Sequence, residues 1–250
     1  MTQTKNQSNP ASAKAPITLA IDIGGTGMKA IKLDADGKEV SDRVRIRTPK
    51  KATPKKILRV IGELAEAQEG FDRVSVGFPG VIKNGVVYTA ANLAKGWRGF
   101  DLAKEVAKKL GKPTRVANDA DVQGFGCVSG KGVELVITLG TGFGSVIFVD
   151  GTPIHLELGH HPFHRGKTYE EELGLRALEK IGKKKWNKML GEALADLQHT
   201  FNYDRLYLGG GNARQIRFKL PANVKIVGNI EGLLGGIKLW KRDESSRLKH

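Results

Sequence analysis

A chain of 250 residues, 40% hydrophobic and with 32 glycines, can build one sizeable core or two modest lobes about a cleft. No apolar run approaches the ~20 residues of a membrane-spanning helix. Its formal net charge of +15, from 41 Lys and Arg against 26 Asp and Glu, points to a polyanionic partner: nucleic acid, an anionic membrane surface or polyphosphate. The single cysteine, Cys127, excludes an intramolecular disulfide framework and a multi-cysteine zinc site, and reads as a small buried or half-buried residue.

The opening segment 1–16 is polar and lacks the apolar stretch of a secretory signal, so the expectation is a flexible leader and a cytoplasmic protein. Ile17–Ile23, Met28–Leu33 and Val40–Arg47 read as a three-stranded antiparallel meander. Thr53, with Pro54 behind it, reads as the cap of a helix whose apolar residues Ile57, Leu58, Ile61, Leu64 and Ala65 recur at helical spacing. Val74–Phe78 is a strand ending at Pro79-Gly80. Asp101 caps a second helix with the face Leu102, Val106 and Leu110, closed by Gly111, and Thr114–Ala117 is a strand ending at Asn118-Asp119.

The second half repeats the theme: strands Leu135–Leu139 and Ser145–Val149 about a Gly/Thr turn, a long loop, and a helix near Trp186–Phe201. A last core strand, Leu206–Leu208, runs into Gly209-Gly210-Gly211, followed by a basic connector and a small-residue helix, Ile230–Trp240. Alternating strands and helices favour an α/β fold, and two strand–glycine turn–strand openings suggest an internal duplication into two lobes with facing loops.

The sharpest local feature is Asp22-Ile23-Gly24-Gly25-Thr26-Gly27, with Lys29 close behind. Glycines in such a turn let a ligand approach the backbone amides, and a carboxylate at the strand end can hold hydrated magnesium against phosphates. The same segment also fits an ordinary hairpin with a surface aspartate. Asn118-Asp119 just past a strand end can sit at a cleft floor, where a carboxylate accepts a hydroxyl proton; the alternative is a plain Asn-Asp turn.

Taken together, these pieces resemble the actin-like sugar kinases, and within them the ROK family of bacterial glucokinases and repressors, on its polyphosphate glucokinase branch. The resemblance runs from about Ile17 to Trp240. It rests on seven blocks in family order: Asp22 to Gly27, Phe78-Pro79-Gly80, Thr89-Ala90-Ala91-Asn92 leading to Gly96-Trp97, Asn118-Asp119-Ala120-Asp121, Leu139-Gly140-Thr141-Gly142, Glu157-Leu158-Gly159-His160 and Gly209-Gly210-Gly211.

It implies an actin-like (ribonuclease H-like) fold with two lobes about a central cleft: residues 17–117, completed by a C-terminal helix 229–240, and residues 118–228, with a polar tail 241–250. It further implies transfer of a phosphoryl group from polyphosphate or ATP to the 6-hydroxyl of glucose, with Asp119 as general base. Asn92, Asn118, Asp119, Glu157, His160 and Glu170 would bind sugar, with Glu171 as the alternative register for Glu170. Gly24, Gly25, Thr26, Gly27, Lys29, Thr141, Gly142 and Gly144 would serve phosphate, Gly209, Gly210 and Gly211 the adenosine side, and Asp22 would hold Mg2+ indirectly. The cysteine-rich zinc segment of larger ROK proteins is missing, so no zinc is expected.

The basic balance suits an extended polyphosphate tracking a groove to which Lys95, Arg98, Arg165, Lys167 and Lys183 to Lys185 could contribute; solvated surface is the alternative for each. The other classes considered are a sugar-sensing DNA-binding repressor and a basic binding protein that keeps the fold without catalysis. About 16 residues before the first strand are too few for a helix-turn-helix module, so no DNA partner is expected. No membrane partner is expected either, and the resemblance suggests a homodimer.

Overall fold

The computed structural model describes residues 15–90, 93–228 and 231–240. The first half opens with strands β1 (Thr18–Ile23), β2 (Gly27–Leu33) and β3 (Val44–Arg47), helix α1 (Pro54–Glu66) and strand β4 (Arg73–Phe78). A small hairpin, β5 (Ile82–Lys83) and β6 (Val86–Val87), then leads to α2 (Leu102–Leu110) and β7 (Thr114–Asn118). The sheet order is β3-β2-β1-β4-β7, with the meander antiparallel and β1, β4 and β7 parallel. The third strand is shorter than its apolar pattern suggests: Val40 stands 45% exposed outside it.

Helix α3 (Asp119–Cys127), for which the sequence reading offers no helix, follows directly. Then come β8 (Val133–Leu139), β9 (Phe143–Val149), β10 (Thr152–Leu156), the short pair β11 (Pro162–His164) and β12 (Lys167–Thr168), α4 (Tyr169–Leu173), α5 (Leu175–Phe201), β13 (Arg205–Gly209), β14 (Val224–Ile226) and α6 (Glu231–Leu234). The second sheet, β10-β9-β8-β13-β14, repeats the order and the mixed pairing of the first. The long loop expected after Val149 thus holds three short strands and a helix. Helix α5 starts earlier than Trp186 because two helical stretches join across Gly182, whose φ of 77° is non-helical.

Each sheet is covered on one face by its own helices. Leu19, Ile21 and Ile23 pack with Ile57, Ile61 and Leu64 of α1 and Val106 of α2, while Leu135, Ile137 and Leu139 pack with Trp186, Leu190 and Leu194 of α5. The other faces meet α3 and the C-terminal segment. Ala120, Val122 and Phe125 of α3 pack on Val136, Val146 and Phe148, and Leu233 and Ile237 cover Ala20, Ile31 and Leu33 of the first sheet. Ser75 ties that segment down: its hydroxyl donates to Gly236 O at 2.7 Å and accepts from Trp240 Nε1 at 2.9 Å. Arg73 and Arg115 both lie over the Trp240 ring. Helix α3 is therefore the spine against which both sheets rest, and its N-terminus opens into the space between them.

Candidate active site

A cavity of about 650 Å³ opens between the sheets, bounded by the turns that follow β1, β7, β8 and β13. Two glycine loops face each other across it. A Cβ at Gly25 would lie 2.8 Å from Thr141 Oγ1, so the absence of a side chain there lets the loops approach. Thr48 braces the first loop, donating from Oγ1 to Gly24 O at 2.6 Å. Gly210, with φ 84°, brings the third loop against the Leu139 backbone, and Asn212 Nδ2 donates to Gly140 O at 2.8 Å.

Asp119 lies on the cavity floor as the first residue of α3. Asn118 caps that helix, its Oδ1 accepting from Ala120 N at 2.8 Å and Asp121 N at 3.4 Å, while its Nδ2 donates to Gly80 O at 3.0 Å. The cap fixes where the Asp119 carboxyl points and leaves one amide N–H of Asn118 for a ligand. Burial, and then the neighbouring Asp22 and Asp121 charges, raise the Asp119 pKa from 3.8 to about 7, against backbone N–H donation that lowers it. The helix N-terminus favours the carboxylate too, but desolvation and two like charges outweigh it.

One row across the first sheet sets the charge. Gly77, Asp22, Lys29 and Arg45 are register partners on successive strands β4, β1, β2 and β3. A Cβ at Gly77 would sit 3.6 Å from Asp119 Cα, Lys29 Nζ lies 3.1 Å from Asp22 Oδ2, and the Arg45 guanidinium lies over Gly27. Acid thus stands over the cavity floor and base toward the rim. Arg43 and Arg214 also line the cavity. The sequence reading passed over all three arginines; for Arg43 and Arg45 the alternation Arg43, Arg45, Arg47 was the available signal.

The opposite wall is acidic. Ser145 Oγ donates to Leu156 O and accepts from Leu158 N, both at 3.1 Å, fixing the 3₁₀ turn 158–160 beside β9. Gly159 fits because a Cβ would meet Phe143 O at 2.5 Å, and the turn then presents Glu157 and His160, 3.7 Å apart, to the cavity. Burial, with Glu170 and Asp121 adding to it and His160 opposing it, raises the Glu157 pKa. Of the two candidate acids on α4, Glu170 lines the cavity and accepts from Phe143 N at 3.2 Å, while Glu171 closes a capping box with Thr168. Asp121, 4% exposed, is held by His155 Nδ1 at 3.0 Å, a pair the sequence reading did not find.

The cavity lining therefore includes Asp22, Gly24, Gly25, Thr26, Gly27, Lys29, Asn118, Asp119, Thr141, Gly142, Gly144, Glu157, His160, Glu170, Gly210 and Gly211. Gly209 is not part of it: it ends β13, and its missing side chain makes room for the Gln123 amide. Asn92 lies outside the described residues. Lys95, Arg98, Arg165 and Lys183 to Lys185 are exposed and do not line this cavity, and Lys167 pairs with Glu172 at 2.8 Å. Among the described residues, no three His, Cys, Asp or Glu side chains are grouped to hold a metal, and no helix is long and apolar enough to cross a membrane. Asp22 and Asp119 do suit Mg2+, which binds through one or two carboxylates, water and the phosphates of its substrate.

The sequence is 33% identical over 211 residues to the polyphosphate glucokinase of Mycobacterium tuberculosis (strain CDC 1551 / Oshkosh), covering 78% of this chain and 77% of that protein. Among solved structures, the inorganic polyphosphate/ATP-glucomannokinase of Arthrobacter sp. strain KM superposes with a TM-score of 0.80 and 32% identity over 91% of this chain and 99% of that one. The ROK family glucokinase of Streptomyces griseus, solved with glucose and AMPPNP, gives a TM-score of 0.74 at 20% identity, covering 89% and 98% of the two chains, and at that distance shows the shared fold alone. The pattern of the ROK family matches residues 18–174, more than half of the chain, and with the doubled sheets and the cleft between them this places the protein in the ROK family, with the actin-like ATPase fold.

Proposed function

We propose that this protein transfers a terminal phosphoryl group from inorganic polyphosphate, from ATP or from both, to the 6-hydroxyl of glucose, with Asp119 as the general base. The observation that carries the reading is Asp119 itself, a carboxyl with a pKa near 7 on the cavity floor, between an acidic wall and a pair of glycine loops. A base that titrates close to neutrality matches a hydroxyl donor better than an ordinary aspartate does. The names of the relatives, polyphosphate glucokinase and polyphosphate/ATP-glucomannokinase, supply the substrate classes.

In this reading Glu157, His160, Glu170 and the free amide N–H of Asn118 orient the sugar ring, as Asn92 would too. The Asp119 carboxylate accepts the proton of the 6-hydroxyl as its oxygen bonds to phosphorus, and the bridging P–O bond to the rest of the donor breaks. The loops 24–27, with Lys29, and 140–144 hold donor phosphates, and Gly210 and Gly211, without the occluded Gly209, form the adenosine side when ATP is the donor. Asp22 would hold Mg2+ indirectly, and the ion would supply neutralisation of phosphate charge. Approach of the lobes 17–117, completed by 229–240, and 118–228 would exclude the water that competes with the sugar. A cytoplasmic homodimer belongs to the same reading.

The test is glucose 6-phosphate formation by the purified protein with Mg2+, long-chain polyphosphate or ATP, and glucose or mannose, with Asp119→Asn beside it. Turnover that depends on Asp119 supports the kinase; absence of product with every donor and sugar pair overturns it.

A further inference from the structure

Beside the transfer cavity lies a second one, of about 480 Å³, lined by Arg47, Thr48, Lys50, Lys51 and Ala52 and by Leu93 and Ala94. The two cavities share Gly25, Thr26 and Leu93, so each opens beside the same glycine loop. Strand β3 connects them. It is an edge strand, and its alternation turns Val44 and Ile46 to the core and Arg43, Arg45 and Arg47 to solvent. Arg43 and Arg45 line the transfer cavity and Arg47 the second one, so the arginine face runs from one to the other. Among the described residues, no Asp, Glu or aromatic side chain lines the second cavity. None of Arg43, Arg45, Arg47, Lys50 and Lys51 has a carboxylate partner among the described residues.

That lining discriminates among polyanions. A nucleotide calls for an apolar or aromatic wall for its base and a carboxylate for its ribose, and single-stranded nucleic acid for aromatic stacking platforms. A chain of phosphates needs only successive cations. Resting on the kinase reading above, we propose that the second cavity is a distal subsite for the trailing phosphates of an inorganic polyphosphate donor. The chain is fed past the Gly25–Thr26 loop along Arg43, Arg45 and Arg47 and held at its far end by Lys50 and Lys51. In this proposal a short donor is held in the transfer cavity alone, so the subsite acts on long chains.

The experiment uses the full chain with Arg47, Lys50 and Lys51 each changed to Gln, singly and together, and its thermal unfolding measured to confirm folding. KM and kcat are taken for long-chain polyphosphate, tripolyphosphate and ATP across a range of salt, and equilibrium binding of long-chain polyphosphate is measured directly. The expected result for the triple variant is a rise of about tenfold or more in KM and in dissociation constant for the long chain, with a shallower salt dependence. Its kcat should stay within about twofold, and tripolyphosphate and ATP should be unaffected. An unchanged long-chain KM overturns the subsite while leaving the kinase reading standing, as does an equal loss with all three donors, which would assign these cations to the transfer site. A wild-type protein that phosphorylates glucose from ATP but neither binds nor uses polyphosphate overturns the donor assignment and the subsite together. No phosphorylation from any donor overturns the kinase itself.

Discussion

The two sheets share one strand order yet carry opposite chemistry on their outer edges. In the first, the edge strand β3 and the residue just before it set out Arg43, Arg45 and Arg47, and the neighbouring β2 adds Lys29. In the second, the matching edge strand β10 carries His155 and runs into Glu157, with Glu170 close by on α4. A repeated scaffold has been loaded with cations in one copy and hydrogen-bonding acids in the other, and Asp119 stands where they meet. The fold supplies a two-sided cleft, and in the proposed reading its edges decide which substrate each side accepts.

The comparison breaks most sharply at its midpoint. Asp119→Asn should lower kcat by about 10²–10⁴ with little change in either KM, since only the proton acceptor is lost; steady-state kinetics retaining more than a tenth of the wild-type kcat would remove Asp119 as the base. The two sides should then separate. Glu157→Gln should raise the glucose KM by roughly tenfold and spare the donor KM, and Arg45→Gln should do the reverse. Equal effects of both variants on both substrates would mean that the edges do not divide the labour.

Acidity sharpens the picture further. Because Asp119 holds its proton up to about pH 7, kcat/KM should climb with pH through that value and level off above it; a flat profile from pH 5 to 8 would contradict the assignment. The same shift bears on stability. A carboxyl raised in the folded state costs nothing below the ordinary carboxylate range and its full amount above about pH 7. Asp119→Asn should therefore be more stable than wild type at pH 8, by several kcal/mol at most and with a correspondingly higher Tm, and equal to it near pH 3 in thermal unfolding. The smallest effect is expected at the cap. Asn118→Ala should cost about 1 kcal/mol of stability at any pH, seen as a lower denaturation midpoint in urea.

Much of the first lobe was legible because its signals are local. The meander follows from alternation, and α2 from Asp101, which accepts from Lys104 N, and from Gly111, which ends the helix at φ 63°. Helix α3 was not legible. Its stretch, Asp-Ala-Asp-Val-Gln-Gly-Phe-Gly-Cys, has two glycines that disfavour helix by about 1 kcal/mol each and residues buried on nearly all sides, so no amphipathic period shows. Gly124 is there because Phe148 fills the space of its side chain, a contact formed only when the second sheet closes on the helix. The Asn118 cap was the one local clue.

Residues that the structure gathers around the cavity were legible where local geometry carried them, as at Asp22 to Gly27, or where the family resemblance supplied them, as at Glu157 and His160. The arginine edge was not, because charged residues alternating on a short strand look like solvated surface until their neighbours are known. Basic runs at 183–185 drew attention by density alone, yet they lie on an exposed stretch of α5 away from the cleft.

The C-terminal clasp on the first sheet bears on how the chain is made. Ala20, Ile31 and Leu33 are covered by Leu233 and Ile237, so one face of the first sheet, whose last strand ends at Asn118, stays bare until roughly 120 more residues have been added, about 6–24 s at ordinary synthesis rates. During that interval the nascent lobe carries an apolar face that invites chaperones or premature association. The first part of the molecule to leave the ribosome is the last to be finished.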